Sequence, residues 1–364
     1  MPMFGPPNIV KLQQKRNIDG LIKALSYKDS DVRFAAAFAV GRIGDPRAIP
    51  PLTTALNDEN LNVREAAAIA LGEIGDPQAI PALITALNDK DSNVRRLAVR
   101  ALGEIGDPQA IPPLITALDD QNQDVRKAAA GALDTLHWSP GRDATGVAYW
   151  MGKGDWDRCV KIGVPAIEPL TKALNHRDLD LRRAAAAALG RIKGPRAIPP
   201  LITALNDHDG DVRRAAADAL HMLHWSPGRD ATGVAYWMGK GNWDRCVEIG
   251  IPAIEPLTKA LNHRDLDVRR AAAAALGTIG DPQAIPALIT ALNDQDWHVR
   301  KAAVHALGAI SDPQAIPPLI TALNDEVCCS HRTVTQEGRI SPEEEGSLCR
   351  NTVSSPRSTA TKRC

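Results

Sequence analysis

The chain has 364 residues, and its 43 Lys and Arg are balanced by 43 Asp and Glu. Because the formal net charge is zero, we expect neither nucleic acid nor an anionic membrane to bind through overall charge. No apolar run reaches the ~18–20 residues of a membrane span, and the N-terminus lacks the apolar core of a signal peptide. Six cysteines do not form a disulfide framework in so long a chain, which favours a reduced, cytoplasmic protein.

An internal repeat of 31 residues dominates the sequence. A segment that begins Asp-Pro, Gly-Pro or Gly-x-Pro is followed, at constant spacing, by a Val-Arg or Leu-Arg pair. Two steps in the series are longer and contain one repeat plus 25 further residues. The segments begin at Asp45, Asp76, Asp107, Gly163, Gly194, Gly250, Asp281 and Asp312. The spacing predicts eight complete units over residues 14–311 and a ninth that begins and then stops.

Each repeat is predicted to contain two helices. In one unit Asp45 is a suitable N-cap and Pro46 suits the first helical position, while the second helix begins near Asn62 and ends at Gly75. At helical spacing, the buried face of that second helix consists of Val63, Ala67, Ala70, Leu71 and Ile74. One hairpin cannot bury its own apolar face, so the units must stack. The sequence therefore predicts an all-α solenoid without strands.

The repeat consensus resembles a known family. The pattern Asp-Pro-x-Ala-Ile-Pro-x-Leu, then Leu-Asn-Asp, then Val-Arg-x-Ala-Ala-x-x-Ala-Leu-Gly is similar to the short HEAT repeats of the phycobilisome-lyase HEAT-like type. That family includes bilin-lyase subunits, phycobilisome-degradation factors, deoxyhypusine hydroxylases and plain scaffolds. The hydroxylases build a di-iron site from His-Glu pairs, and this chain contains no His-Glu dipeptide. The resemblance thus implies the fold more strongly than any activity.

The resemblance also implies an ion pair within each repeat, between an Asp in the inter-helix turn and an Arg six residues later. The pairs with that spacing are Asp58/Arg64, Asp89/Arg95, Asp120/Arg126, Asp207/Arg213 and Asp294/Arg300. His176 and His263 replace the aspartate in two other repeats. We therefore do not expect the series of pairs to be continuous, and its implied role is structural.

Two insertions, residues 137–163 and 224–250, are near copies of one another and differ only at Asp155/Asn242 and Lys161/Glu248. They hold six of the seven tryptophans: Trp138, Trp150, Trp156, Trp225, Trp237 and Trp243. One interpretation is an extra helical hairpin whose aromatic residues form a small core. The alternative is an exposed recognition pocket of these rings, with Arg142, Asp157 and Arg158 at its rim.

The outward face of the second helices is where the repeats differ most. The first unit carries Phe34 and Phe38 there, and Arg100 lies on this face in another unit. The first outward position is basic in six of the eight units, at Arg96, Lys127, Arg183, Arg214, Arg270 and Lys301. Second helices line the concave face in solenoids of this kind. We predict a discontinuous positive row that binds a protein with an acidic surface, with Trp150 and Trp237 as further contact residues; a solvated face without a partner is the alternative.

No catalytic constellation is predicted. The nine histidines are scattered, Cys159 and Cys246 are expected to pack, and Gly152-Lys153-Gly154 lacks the spacing of a phosphate-binding loop. We expect no metal, no cofactor, no nucleic acid and no membrane as partners, and the oligomeric state stays open. The leading hypothesis is a non-enzymatic protein-interaction scaffold. The alternatives are a phycobilin lyase-like or phycobilisome-associated subunit and, with less support, a deoxyhypusine hydroxylase-like oxidoreductase.

The repeat pattern divides the chain into three parts. Residues 1–13 form an N-terminal extension and residues 14–325 form the solenoid. Residues 326–364 abandon the repeat pattern and contain four of the six cysteines together with many Ser, Thr and Arg. We expect this tail to be disordered.

Overall fold

The structure, a computed structural model, describes residues 6–324 of the chain. Within that range the chain is all-α with no strand and has the hairpin organisation of an α-solenoid, as predicted. None of the helices described is long and apolar enough to cross a membrane. The predicted tail, residues 326–364, lies outside the described residues. The chain divides into two compact units, Met1–Ala197 and Ile198–Cys364.

The first unit contains thirteen helices in its described part. They are α1 (Ile9–Gln14), α2 (Ile18–Ala24), α3 (Ser30–Ile43), α4 (Ile49–Ala55), α5 (Leu61–Ile74), α6 (Ile80–Ala86), α7 (Ser92–Ile105), α8 (Ile111–Ala117), α9 (Gln123–Thr135), α10 (Ala144–Lys153), α11 (Trp156–Ile162), α12 (Ile167–Ala173) and α13 (Leu179–Ile192). The first and second helices of its repeats are the pairs α2/α3, α4/α5, α6/α7, α8/α9 and α12/α13.

The second unit follows the same plan. Its described helices are α14 (Ile198–Ala204), α15 (Gly210–Met222), α16 (Ala231–Gly239), α17 (Trp243–Ile249), α18 (Ile254–Ala260), α19 (Leu266–Ile279), α20 (Ile285–Ala291), α21 (Trp297–Ile310) and α22 (Ile316–Asn324). The repeat pairs are α14/α15, α18/α19 and α20/α21. Helix α22 is the first helix of the ninth repeat.

The first helix of a repeat is built in two parts. Asp45 accepts the backbone N–H of Arg47 at 3.0 Å, and Pro46–Ala48 then form a 3₁₀ turn that leads into α4. Pro at this position costs no hydrogen bond, because the first N–H groups of a helix have no partner within it. The second helix ends where Gly75 adopts a left-handed conformation with φ of 69°. These boundaries agree with the sequence prediction to within about one turn.

The core lies between side-by-side second helices. In the first unit α3, α5, α7 and α9 pack in that order, and each also packs against the first helix of its own repeat. The facing residues are small: a Cβ added to Gly41 would lie 2.7 Å from the Cα of Ala70 on the next helix. Alanines such as Ala67 and Ala98 are fully buried in this layer. The alanine-rich pattern therefore reflects close helix packing.

Each insertion is an extra helical hairpin. In the first unit α10 packs on α9 and α11 packs on α13, so the hairpin lies between two second helices. In the second unit α16 packs on α15 and α17 on α19. The small core predicted for the first hairpin contains Val147, Tyr149, Cys159 and Ile162, all of them buried.

Candidate partner-binding surface

Buried arginines join consecutive repeats, and this corrects the pairing implied by the family resemblance. Arg64 donates from Nη1 to the backbone oxygen of Asp58, six residues earlier, at 3.1 Å. Its carboxylate partner is Asp89 of the next repeat, 2.8 Å from Nε. The carboxylate of Asp58 is unavailable to Arg64 because it already accepts from Arg33, at 2.7 and 2.8 Å. The same bonds between repeats join Arg95 to Asp120 and Arg269 to Asp294. We call this series the ladder.

The ladder continues across the first insertion through a different residue. His176 stands where the ladder aspartate is expected, and its Nδ1 accepts the backbone N–H of Asp178 at 3.0 Å. Among the described residues its buried Nε2 has no hydrogen-bond partner. Asp178 supplies the carboxylate instead, and Arg126 donates to it at 2.6 Å. Across the second insertion Arg213 meets a histidine, His263, at 2.9 Å.

The predicted basic residues lie on the outward face of the second helices. Arg96 is half-buried, whereas Arg100, Lys127, Arg183, Arg214, Arg270 and Lys301 are exposed. Three of these cations are neutralised nearby: Arg183 by Asp180, Arg270 by Asp267 and Arg100 by Glu104, at 2.8, 2.9 and 2.7 Å. In the first unit the α10–α11 hairpin separates Lys127 on α9 from Arg183 on α13. The basic residues thus form short groups rather than one even row.

Apolar residues share the outward face of the second helices with the basic residues in the first unit. Phe34 and Phe38 on α3 meet edge to face with their ring centroids 4.9 Å apart, and Phe34 is 37% exposed. Ile69 on α5 lines a groove of about 110 Å³ whose other walls are formed by Glu73, Leu97, Arg100, Ala101 and Glu104. Two of the chain's three phenylalanines, Phe34 and Phe38, occupy this face, and that placement was the available sequence signal for an apolar contact area. We call Phe34, Phe38 and Ile69 the apolar group.

The tryptophans of the insertions are half-buried packing residues. Tyr149 is buried, and the rings of Trp138 and Trp150 lie 5.5 and 4.6 Å from it. The guanidinium of Arg158 stacks 4.1 Å above the ring of Trp150. This arrangement matches the small-core interpretation more closely than an open pocket. The hairpin itself covers part of each ring.

The two sequence differences between the hairpins have different effects. Asp155 and Asn242 both cap the helix that follows, so that exchange conserves the local structure. Glu248, in contrast, forms a 2.6 Å salt bridge with Arg245. Arg245 lies 5.8 Å from the ring of Trp237, whereas its counterpart in the first hairpin stacks closely. The ring of Trp237 is therefore less closely covered by an arginine than the ring of Trp150.

An acidic residue outside the first insertion anchors it. Asp134 on α9 accepts hydrogen bonds from the hydroxyl of Tyr149 and the ammonium of Lys153. Burial is the main cause that raises the pKa of Tyr149 to about 12, and the hydrogen bond from its hydroxyl to Asp134 is the second. Partial burial opposes a decrease in the pKa of Asp134, but the two donors outweigh it and lower that pKa. The sequence did not predict this network because Asp134 lies in the repeat and not in the insertion.

A shallow depression of about 510 Å³ opens beside the first hairpin. It is lined by Lys153, Gly154, Asp155, Trp156, Asp157 and Arg191. Its cations are already paired, because Lys153 binds Asp134 and Arg191 binds Asp157 at 2.7 Å. Arg142, predicted at the pocket rim, instead donates to the backbone oxygen of Lys161 at 3.1 Å.

Groups with catalytic or metal-binding potential are inconspicuous. Cys159 and Cys246 are fully buried, and burial raises the pKa of each thiol to about 12. Such thiols remain protonated and pack as small apolar residues. In residues 6–324, no group of three or more His, Cys, Asp or Glu is placed to hold a metal ion.

Comparison with known proteins places the chain in a family. A family model described as HEAT repeats matches residues 18–92, 49–134, 159–224 and 254–328, more than half of the chain. The gaps between these matches fall largely on the two insertions. The chain therefore belongs to the HEAT-repeat family. No curated protein sequence matches it.

Several solved structures are similar to this chain. Human deoxyhypusine hydroxylase in complex with glycerol is 23% identical, with 84% of this chain and 99% of that chain covered and a TM-score of 0.32. An engineered protein is 26% identical, with 88% and 85% covered and a TM-score of 0.28. The complex of CpcE and CpcF of phycocyanin lyase from Nostoc sp. PCC7120 is 24% identical, with 89% and 97% covered and a TM-score of 0.29.

Proposed function

We propose that this protein is a non-enzymatic scaffold that binds a partner protein through the outward faces of its second helices. The observation that supports this most is the contrast between the two faces. The inward residues are nearly uniform buried alanine and leucine, whereas the outward residues vary from repeat to repeat. Phe34 and Phe38, whose rings are in contact, add apolar surface to this face that a partner would cover.

Within the first unit, the proposed contact surface combines the apolar group with Arg96, Arg100 and Lys127. Such a surface suits a partner that presents apolar side chains beside carboxylates. The apolar contacts would supply most of the affinity, and the cations would steer association and select an acidic partner. Trp237, whose ring is less closely covered by an arginine than that of Trp150, is a further proposed contact in the second unit.

Site-specific photo-crosslinking tests this surface. A photoreactive amino acid is placed at Arg100 in one variant and, as the control, at the exposed Lys23 on a first helix in another. Each variant is incubated with lysate of the source organism. We expect an acidic protein to be crosslinked from position 100 and not from position 23. Equal yields of the same proteins from both positions would contradict the proposal.

The family resemblance offers two other activities: a phycobilin lyase-like or phycobilisome-associated role, and a hydroxylase-like activity. Absorbance and metal content distinguish both from a scaffold. We predict that protein purified without chelators has no bilin absorbance in the visible range and less than stoichiometric iron by elemental analysis. Stoichiometric iron, or a bound chromophore, would contradict the scaffold proposal.

A further inference from the structure

One aspartate normally performs two tasks in the turn before a second helix. Oδ1 of Asp58 accepts the backbone N–H of Asn60 at 2.9 Å, and its two oxygens also accept the forked guanidinium of Arg33. A carboxylate has enough lone pairs for all three bonds. In the turn before α19, an imidazole, that of His263, occupies the same place.

His263 cannot accept hydrogen bonds from both of the N–H groups that point at its ring. Its Nδ1 accepts the backbone N–H of Asp265 at 3.0 Å, and its Nε2 lies 2.9 Å from Nη1 of Arg213. A neutral imidazole has one acceptor nitrogen, so when Nδ1 accepts, the N–H at Nε2 faces the N–H of Arg213. A protonated ring has no acceptor. Protonation would therefore remove the one hydrogen bond that the neutral ring accepts and place a second positive charge beside Arg213.

The surroundings keep the ring neutral. Burial, and then the charge of Arg213, lower the pKa of His263, while Asp265 opposes the decrease and Arg264 contributes to it. Arg269 on α19 donates to the backbone oxygen of His263 at 2.9 Å and adds a further cation on that side. The junction is thus dominated by arginines. A protonated imidazole is poorly accommodated there.

Arg213 also supports the second insertion hairpin. Helix α16 packs directly on its backbone, since a Cβ added to Gly239 would lie 2.9 Å from the carbonyl oxygen of Arg213. On its other side Arg213 is 7% exposed and donates to the backbone oxygen of Asp207 at 2.9 Å. Asp207, Asp209 and Asp265 are the acidic residues that act on it electrostatically. Arg213 therefore contacts both His263 and α16.

We propose that the contact between Arg213 and His263 is an acid-sensitive latch that holds the second insertion hairpin between α15 and α19 and releases it when His263 becomes protonated. The first insertion provides a natural comparison. There the carboxylate of Asp178 accepts from Arg126 whatever the charge on His176. The α10–α11 hairpin should consequently respond much less to acid.

The direction of the pH effect follows from proton binding. Because the pKa of His263 is lower in the closed junction than in the open one, the open junction binds the proton first. Closing is fully favourable above the ordinary histidine pKa of about 6.5 and weakens as the pH falls toward the lower folded value. One proton can change the opening equilibrium by at most about tenfold per pH unit.

Hydrogen–deuterium exchange of the full chain tests the latch. Exchange is measured at pH 7.5 and 5.5, and the rates are corrected for the pH dependence of intrinsic amide exchange. In the wild type we expect protection of residues 231–249 to fall by up to about tenfold more than that of residues 144–162. H263D, which restores the residue of the other repeats, and H263Q, which cannot be protonated, should remove this difference. H176D, the matched control, should leave it unchanged.

Two results would overturn the latch. The first is an equal loss of protection in the wild type, H263D and H263Q, which would show that another group titrates. The second is an equal loss in the two hairpins of the wild type. A direct NMR titration of His263 gives an independent check, because the proposal requires a midpoint below the ordinary histidine pKa of about 6.5.

Discussion

A single carboxylate distinguishes the anchoring of the two insertion hairpins. Asp134 binds both Tyr149 and Lys153, while the equivalent position in the second block is His221. Lys240, the counterpart of Lys153, binds Asp218 instead. The hairpins thus share almost the same sequence but use different residues of the preceding second helix as anchors. The Asp134 network is a property of the first hairpin alone.

We predict that D134A destabilises the protein by about 1–2 kcal/mol, because the buried hydroxyl of Tyr149 loses its acceptor. H221A, the matched control, should change stability by less than about 0.5 kcal/mol. The pKa of Asp134 is lowered in the folded state, so its contribution is present above the ordinary Asp pKa of about 3.9 and is lost as the pH falls through the folded value. Urea unfolding at pH 7 and pH 3 measures both effects; an equal loss for D134A at the two pH values would contradict this explanation.

The tryptophan rings give a second prediction at this scale. W150A and W237A should each destabilise the fold by about 2–4 kcal/mol, because a half-buried indole that packs on a tyrosine leaves a cavity. W150A should cost more by about 0.5–1 kcal/mol, since it also loses the close stack with Arg158. Thermal and urea unfolding of both variants provide the comparison. Unchanged stability together with weaker partner binding would instead support the exposed-pocket interpretation.

At the scale of helices, glycine determines how closely second helices approach. A Cβ added to Gly277 on α19 would lie 2.5 Å from the Cα of Ala306 on α21. Gly308, one repeat later, is exposed and has no neighbour within 4 Å of an added Cβ among the described residues. The same repeat position is therefore crowded in one helix and open in the next. A Gly-to-Ala substitution at each position therefore tests the crowding, because the change in helix propensity is the same at both.

G277A is predicted to destabilise the protein by about 1–3 kcal/mol, because backbone atoms of α21 must move to accept the methyl group. G308A should be neutral or stabilising by up to about 1 kcal/mol, because alanine favours a helix interior over glycine. Denaturant unfolding of the two variants gives the values. A stabilising effect of G277A would show that α19 and α21 are not packed as closely as the structure has them.

Local sequence rules predicted the helices well because each boundary has a local cause. The Asp-Pro start, the glycine end and the buried alanine stripe all act within one repeat. The sequence predicted the wrong carboxylate for each ladder arginine. The arginine binds an aspartate of the next repeat, and only the stacking of repeats brings those two residues together. Asp58 and Arg64 have a plausible spacing, yet stacking places Asp89 on Arg64 and leaves Asp58 to Arg33. The sequence also did not predict that Asp178 takes the place of a ladder aspartate, because that contact again depends on how the repeats stack.

For the molecule as a whole, the central claim is that the outward faces of the second helices bind a partner. The structure refines the set of basic residues for this test. Arg183, Arg270 and Arg100 are each paired with a neighbouring carboxylate. Arg100 is retained because it lines a groove with Ile69 of the apolar group. Arg96 and Arg100 lie on α7, and Lys127 lies on the neighbouring helix α9. Exposed cations act mainly on the association rate, and that effect is screened by salt. A charge-reversal series can therefore separate this surface from the rest of the chain.

The most direct test uses the partner captured by crosslinking and the triple variant R96E/R100E/K127E. The control is K23E/K90E/K172E, which changes the net charge equally on first helices and a turn of the same unit. With helicity unchanged in both, we predict that the triple variant associates at least about tenfold more slowly at low salt and that the deficit shrinks as salt is added. The control should bind at nearly the wild-type rate. Equal association rates for the two variants at every salt concentration would contradict the claim.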